Sequence, residues 1–216
     1  MKRLILAVSL VGGTALFFGC GGGGEDGGGG NGSSEFPVPL AIGNWWFSQN
    51  PHDSSDWDTT KIIGDTVYNG HDGFVGVGID STGTDTMVAY YADGFLNVVI
   101  TEDSTEMEMK YFKQDMSVGD SWTVVERVDT VGGIPITFRV KAVVESQEDI
   151  TVPAGSFNGC YKVLDSTLIY MNDSLMGIGD ITSMWVAYGT GVVFSYDSDS
   201  SGTPRDSSEL VDYHIE

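Results

Sequence analysis

The chain has 216 residues, with 31 acidic against 10 basic side chains, a formal net charge of −21 and 41% hydrophobic residues. A surface this acidic repels nucleic acid and anionic lipid, which excludes a basic-patch reader of either. It favours solubility and is compatible with divalent cations, although a solvated acidic exterior is the simpler reading.

Met1-Lys2-Arg3 is a short basic start, and an apolar run follows from Leu4 to Phe18, broken only by Ser9, Gly12, Gly13 and Thr14. That is the length and polarity of a signal peptide, too short for a confident membrane span. The run closes on Leu16-Phe17-Phe18-Gly19-Cys20. It resembles a bacterial lipoprotein lipobox, although Phe17 stands where that family usually carries Leu. The resemblance implies cleavage after Gly19 and acylation of Cys20, which makes 1–19 a lipoprotein signal peptide. The alternative is an ordinary secretory signal with an incidental cysteine. Gly21 sits where an Asp would imply inner-membrane retention, so the resemblance implies a lipid anchor in the outer membrane of a bacterial cell envelope.

Residues 21–35 read GGGGEDGGGGNGSSE, with nine glycines in fifteen positions. No apolar side chain is present to offset the ordering of the backbone, so 20–35 reads as a lipidated Cys and a disordered tether. Its end-to-end distance as a Gly-rich coil is roughly 20 Å. Loss of Lys2 and Arg3 with the signal leaves eight basic residues and a net charge of −23. Residues 36–216 have the length of one domain with a real core. With Cys20 committed to lipid, Cys160 has no intrachain partner; its apolar setting, Gly159 to Leu164, reads as a buried, inert thiol.

No stretch after Phe36 sustains helical periodicity, while short runs rich in Val, Ile, Thr, Tyr and Phe recur between Gly, Asn and Asp turns. Leu40 to Phe47 reads as the first strand and 49–58 (QNPHDSSDWD) as a polar loop. Lys61–Val67 and Phe74–Ile79 flank the hairpin signal Asn69-Gly70, and Thr84–Tyr91 and Phe95–Thr101 flank Asp93-Gly94. Thr105 to Lys113 alternates Met107, Met109 and Tyr111 against charged neighbours, a strand with one face in and one face wet. Ser121–Val131 and Ile134–Val144 flank Gly132-Gly133. Phe157–Tyr170 is a long strand, 172–180 (NDSLMGIGD) a loose loop, and Met184–Tyr188, Val192–Tyr196 and Glu209–Ile215 complete the set. The sum is an all-β domain over 36–216: an antiparallel curved sheet, half-barrel or sandwich of about ten to twelve strands, with no substantial helix outside the signal peptide.

One internal echo stands out. Leu40-x-Ile42-Gly43-Asn44-x-Trp46 and Met116-x-Val118-Gly119-Asp120-x-Trp122 share a pattern seventy-six residues apart. It reads as a turn leading into a strand, used twice, with Gly permitting the bend and Trp46 and Trp122 plugging the core; a duplicated half is the other reading.

These stretches, with Val152-Pro153-Ala154-Gly155-Ser156-Phe157 and Trp185-Val186-Ala187-Tyr188-Gly189-Thr190-Gly191-Val192-Val193, resemble a loose group of bacterial envelope lipoproteins of unassigned function. The resemblance implies a curved antiparallel sheet of the lipoprotein-carrier type around an apolar interior. It supplies no catalytic residues. Physically, Pro153 and Gly155 make a rigid turn, while Phe157 and Trp185 should plug the core.

The search for chemistry finds no G-x-S-x-G, H-E-x-x-H, P-loop or C-x-x-C. His52, His71 and His214 lie in polar or terminal settings with no zinc-like spacing. Asp197-Ser198-Asp199-Ser200-Ser201-Gly202 matches the opening of a calcium loop, with Asp197, Asp199 and Ser201 as candidate ligands. The closing Glu fails, because Ser208 fills the twelfth place. A second, weaker cluster is Asp53, Asp56 and Asp58. For both clusters an exposed Asp-Ser-Gly turn is the simpler reading. The expectation is therefore a lipid-anchored, non-enzymatic β domain without cofactor. It would bind the membrane through its N-terminal lipid and an unknown protein or apolar ligand in its concavity. The competing expectation is a structural or adhesive surface module stabilised by calcium. An open cleft lined by Trp, Phe and Met favours carriage, and a filled core favours the module.

Overall fold

The computed structural model describes residues 36–102 and 105–216; the signal peptide, Cys20 and the tether lie outside the described residues. The described chain is strands and turns, with no helix. In order the strands are β1 (Trp45–Asn50), β2 (Asp53–Tyr68), β3 (His71–Asp80), β4 (Thr84–Ala92), β5 (Phe95–Glu102) and β6 (Thr105–Lys113). There follow β7 (Ser121–Val131), β8 (Ile134–Val152), β9 (Gly155–Met171), β10 (Ser174–Ala187), β11 (Gly191–Ser198) and β12 (Pro204–His214). Each pairs antiparallel with its sequence neighbour, except β6 with β7, and β1 also pairs with β12. The result is a twelve-stranded up-and-down sheet curled into a nearly closed barrel.

The turns explain the meander. At Asn69-Gly70, Asp93-Gly94, Gly132-Gly133 and Asn172-Asp173 both central residues have positive φ, the geometry that lets a two-residue loop follow the right-handed strand twist. Two expectations are corrected here. Residues 49–58 are not a loop: the chain turns at Pro51-His52 and β2 starts at Asp53. The Asn50 side chain fixes this corner by donating to Asp56 (3.2 Å) and Asp206 (2.7 Å), so the strand is polar because it lies at the barrel rim. Likewise 172–180 is a tight turn followed by β10. The glycines at 177 and 179 sit where its register with β9 shifts, which masked the alternation. The first strand begins at Trp45 rather than Leu40, since 41–44 form a turn.

Only the seam between β6 and β7 lacks a backbone ladder. Side chains bridge it: the Trp122 indole donates to the Lys110 carbonyl (2.9 Å), its ring lies 6.2 Å from Phe95, and Lys113 pairs with Asp120 at 2.8 Å.

The echo pattern heads two equivalent six-strand runs. Gly43 (φ 102°) donates to Ile62 O at 3.0 Å and Ile62 N returns a bond to Asn44 O at 2.8 Å. Gly119 (φ 93°) and Val144 repeat this with Asp120, at 2.9 Å for both bonds. The same lead-in turn is thus used twice, and shifting the strand order by six maps β1–β6 onto β7–β12. The match extends to two tyrosines. Tyr91 OH accepts from Val38 N (3.2 Å) and donates to Val38 O (2.7 Å). Tyr188 OH accepts from Met116 N (2.7 Å) and donates to Gln114 O (2.6 Å). Each lead-in also crosses to the other half: Gly189 N and Thr190 N donate to Phe36 O and Pro37 O, and Gln114 N donates to Gly94 O. Val38 and Met116 are thereby buried across one end of the barrel.

Strand alternation turns one face inward, where Trp46, Ile62, Met87, Leu96, Val98, Phe112, Trp122, Val144, Val163, Met184 and Leu210 form a continuous buried core. Removing either tyrosine hydroxyl leaves two backbone groups of a buried lead-in without their partner. Tyr91→Phe and Tyr188→Phe are each expected to lower unfolding free energy by about 1–3 kcal/mol in urea titrations. An unchanged midpoint for both would refute the clamp.

Candidate ligand site at the open end of the barrel

In an up-and-down barrel successive turns alternate between the two ends. The lead-in segments, the turns at Asn69-Gly70, Asp93-Gly94 and Pro153-Ala154 and the C-terminal residues share one end, which Val38 and Met116 plug. The opposite end carries the turns at Pro51-His52, Ser81-Gly83, Gly132-Gly133, Asn172-Asp173 and Asp199–Thr203, and nothing in the described chain crosses it. Towards this end the inward-facing side chains change from buried to half-exposed, so water reaches into the barrel there.

The change is chemically two-sided. On β2, Thr60 and Ile62 are buried and face inward, and alternation puts Asp58 and Asp56 on the same face. Asp58 stands directly opposite Asp80 of β3, and Asp197 of β11 directly opposite Asp206 of β12. Like charges at facing positions of a ladder are destabilising. Asp165 of β9 faces inward too, next to Thr182, whose hydroxyl donates to Asp197 at 2.6 Å. Asp165 Oδ1 is buried without a hydrogen-bond partner, as is Ser48 Oγ, which the register sets between Asp58 and Leu210. The other arc is mainly apolar, with the Arg127–Asp129 pair of β7 opposite Phe138 and Ile136. Phe138 and Ile136 continue the inward face of Val140 and Ala142, Ile169 pairs with Phe138, and Ile100 pairs with Met107; all are half-exposed.

Burial, reinforced by Asp56 and Asp80, pushes the Asp58 carboxyl up to about 8. Burial alone pushes Asp165 to about 7, and burial also raises Asp197 against the opposing hydrogen bond from Thr182. Burial, which penalises the charged carboxylate, is the largest cause for all three.

The residues singled out in the sequence fall in several places. Trp46 and Trp122 are buried in the core. Pro153 is exposed at the tip of the β8–β9 turn, and Gly155 (φ 140°) opens β9. Phe157 and Trp185 do not plug the core as expected: both are half-buried at its border. Phe157 lies 6.2 Å from Tyr213. Trp185 alternates against the buried Met184 and Val186, which puts it on the outer face, with its indole donating to Glu148 at 3.0 Å. Cys160 is buried and free, its thiol pushed up to about 12 by burial and by Asp149. Of the candidate calcium ligands, Asp199 and Ser201 are bonded to each other and Asp197 bonds elsewhere. Asp199 Oδ1 accepts from Ser201 N, Ser201 Oγ and Thr203 N within its own turn, at 2.5–3.1 Å, while Asp197 points to Thr182. Among the described residues no three His, Cys, Asp or Glu side chains are grouped to hold a metal ion. His52, His71 and His214 sit on three different elements. Of the weaker cluster, Asp56 and Asp58 join the inward acidic arc, whereas Asp53 Oδ1 caps Ser55.

With this geometry in place, two crystal structures are similar in fold. One is a candidate lipoprotein from Parabacteroides distasonis, with TM-score 0.55, 16% identity and coverage of 83% of this chain and 99% of that one. The other is a candidate exported protein with a YmcC-like fold from Bacteroides fragilis, with TM-score 0.52, 16% identity and the same coverage. At that identity the likeness is one of fold. No protein-family model and no curated protein matches the chain.

An unfolded Asp loses its proton near pH 4. Folded Asp58 keeps its proton to about pH 8, so the folded state binds the extra proton in that window and stability falls as pH rises through it. Asp58→Asn is therefore expected to match the wild type near pH 4 and to melt several degrees higher at pH 8. Thermal melts across that range check this, and a gain independent of pH would contradict it.

Proposed function

We propose that the chain is an exported envelope protein, held by lipid on Cys20, that acts without catalysis by binding an apolar ligand or partner at the open end of its barrel. The observation that carries the binding reading is the band of inward-facing apolar residues, Ile100, Met107, Ile136, Phe138 and Ile169, left half-exposed where the same face nearer the plugged end is buried. Apolar surface lining a concavity and reached by water is the usual setting of a small-molecule site. The lipobox-like run at Leu16–Cys20, the Gly-rich stretch after it and the descriptions of the two fold neighbours as lipoprotein and exported protein support the envelope assignment. Gly21 supports the outer membrane as its location. No catalytic motif in the sequence supports an enzyme.

A second reading, the structural or adhesive module, is favoured by the other end of the barrel, where the core from Trp46 to Phe112 is filled and plugged. In that reading calcium at Asp197–Gly202 stiffens the rim. The self-satisfied turn of Asp199 argues for melting that is insensitive to EDTA. A rise of the midpoint with added calcium would favour the module.

Metabolic labelling with palmitate is expected to mark the wild-type chain and not Cys20→Ala, which should leave the membrane fraction. An unlabelled wild type would overturn the anchor. Native mass spectrometry of protein purified from its own host is expected to show a bound apolar molecule, lost on Phe138→Ser.

A further inference from the structure

The seam between β6 and β7 leaves two strand edges without a ladder, and the two are not alike. The ties across it, Trp122 to Lys110 and Phe95, and Lys113 to Asp120, lie at the plugged end. Just past Trp122 the register of β7 against β8 shifts between Thr123 and Val125, and a bulge bends the strand that carries it. From there on, among the described residues, no hydrogen bond, ion pair or ring contact joins 125–131 of β7 to β6. Counting back along β6 from Lys110 beside Trp122, its first residue, Thr105, comes level with about Arg127, so 128–131 stand past its end. The free stretch reads Val125-Glu126-Arg127-Val128-Asp129-Thr130-Val131, strand-forming residues with neither Lys nor Pro to blunt the edge. The surface around it is apolar too. Of the nine exposed large apolar side chains among the described residues, five lie on the β7–β8 and β9–β10 hairpins: Val128 (60% exposed), Ile134, Leu175, Met176 and Ile178. The register lines Val128, Thr137, Tyr170 and Leu175 up in one outward row across these strands.

From this geometry we infer that β7 pairs antiparallel with β7 of a second copy of the chain, about a twofold axis at Val128. The edge is complementary to itself. Pairing centred on Val128 sets Arg127 opposite the second copy's Asp129, and Asp129 opposite its Arg127, all on the inward face. Val125 then meets Val131, Glu126 meets Thr130, and Val128 meets its own copy on the outward face. The sheet continues only if inward residues lie against inward ones, so the axis moves in whole residues. An axis at Arg127 sets Arg127 against itself, and one at Asp129 sets Asp129 against itself, so charge selects Val128. The β6 edge fails the same test, because pairing about Met107 sets Glu106 against Glu108 twice. Within one copy Arg127 and Asp129 approach to 3.7 Å and are both partly exposed, so little is given up when each also meets the opposite charge of the other copy. A contact that uses the same edge on both copies closes on itself, and growth stops at two. The apolar row from Leu175 to Val128 then runs on into its copy. The pairing does not depend on the ligand reading.

The test is sedimentation equilibrium of the mature chain, residues 20–216, carrying Cys20→Ala so that no lipid drives association. This chain is expected to show a monomer–dimer equilibrium at micromolar concentration, with no larger species. Arg127→Asp and Asp129→Arg, made singly, each set like charges opposite one another and should weaken the dimer at least about tenfold. Made together they exchange the two signs and should restore the dimer to within about threefold of the starting chain. The two single changes move the net charge in opposite directions, so a general charge effect would weaken one dimer and strengthen the other. Register is read with a short thiol crosslinker, to which the buried Cys160 is closed. Val128→Cys should link to its own copy, whereas Thr130→Cys, ~13 Å from its copy along the paired strands, should not. A chain that stays monomeric, single exchanges that leave the dimer unchanged, or a double exchange as weak as the singles overturns the pairing. Thr130→Cys linking as readily as Val128→Cys overturns the axis at Val128 and the inference with it.

Discussion

The ladder between β1 and β12 makes this structure what it is. Ten hairpin connections would produce only two separate six-stranded sheets; the pairing of Trp45–Gln49 with Glu209–His214 joins the first and last strands into one sheet, which curls until β6 meets β7 and encloses an interior. The interior in turn decides every other packing choice. Trp46 and Leu210, contributed by the two closing strands, are among its most deeply buried side chains, so the closure and the core reinforce each other. The cost of ordering over 170 residues is met by this one continuous apolar face, with no disulfide and no helix among the described residues.

Local chemistry made much of this fold legible. Positive-φ pairs at Asn69-Gly70 and Asp93-Gly94 mark tight turns because few other residues tolerate them, and the alternation of Met107, Met109 and Tyr111 states which face is inside. The legibility failed where a strand leaves the core. Asp53–Asp58 carries no apolar alternation because its inward face meets solvent and acid rather than packed side chains. Ser174–Asp180 breaks its period at two register shifts. Phe157 and Trp185 show the complementary error: a large aromatic in a strand is read as core, yet a barrel also covers its outer face with aromatics, such as Phe194 against Trp185.

The candidate site was less legible, for a reason of topology. Asp56 and Asp58 could be seen as a cluster, but Asp80, Asp165 and the Asp197–Asp206 pair come from other strands and share the inward face only because β2, β3, β9, β11 and β12 turn it the same way. No short motif encodes such an arc. The signal that was present is the repeated Asp at inward parity near strand ends, visible only once register is known. The calcium-loop match drew on one of the same residues: Asp197 takes its bond from Thr182 in the wall, while Asp199 takes its bonds from Ser201 and Thr203 in the turn.

The chain enters the described structure at Phe36, whose carbonyl is tied to Gly189 on the plugged end. Whatever precedes it is therefore attached beneath the stopper rather than beside the mouth. A segment joined there meets the barrel at its sealed face, and the rim that carries Asp58, Asp80, Asp197 and Asp206 points the other way.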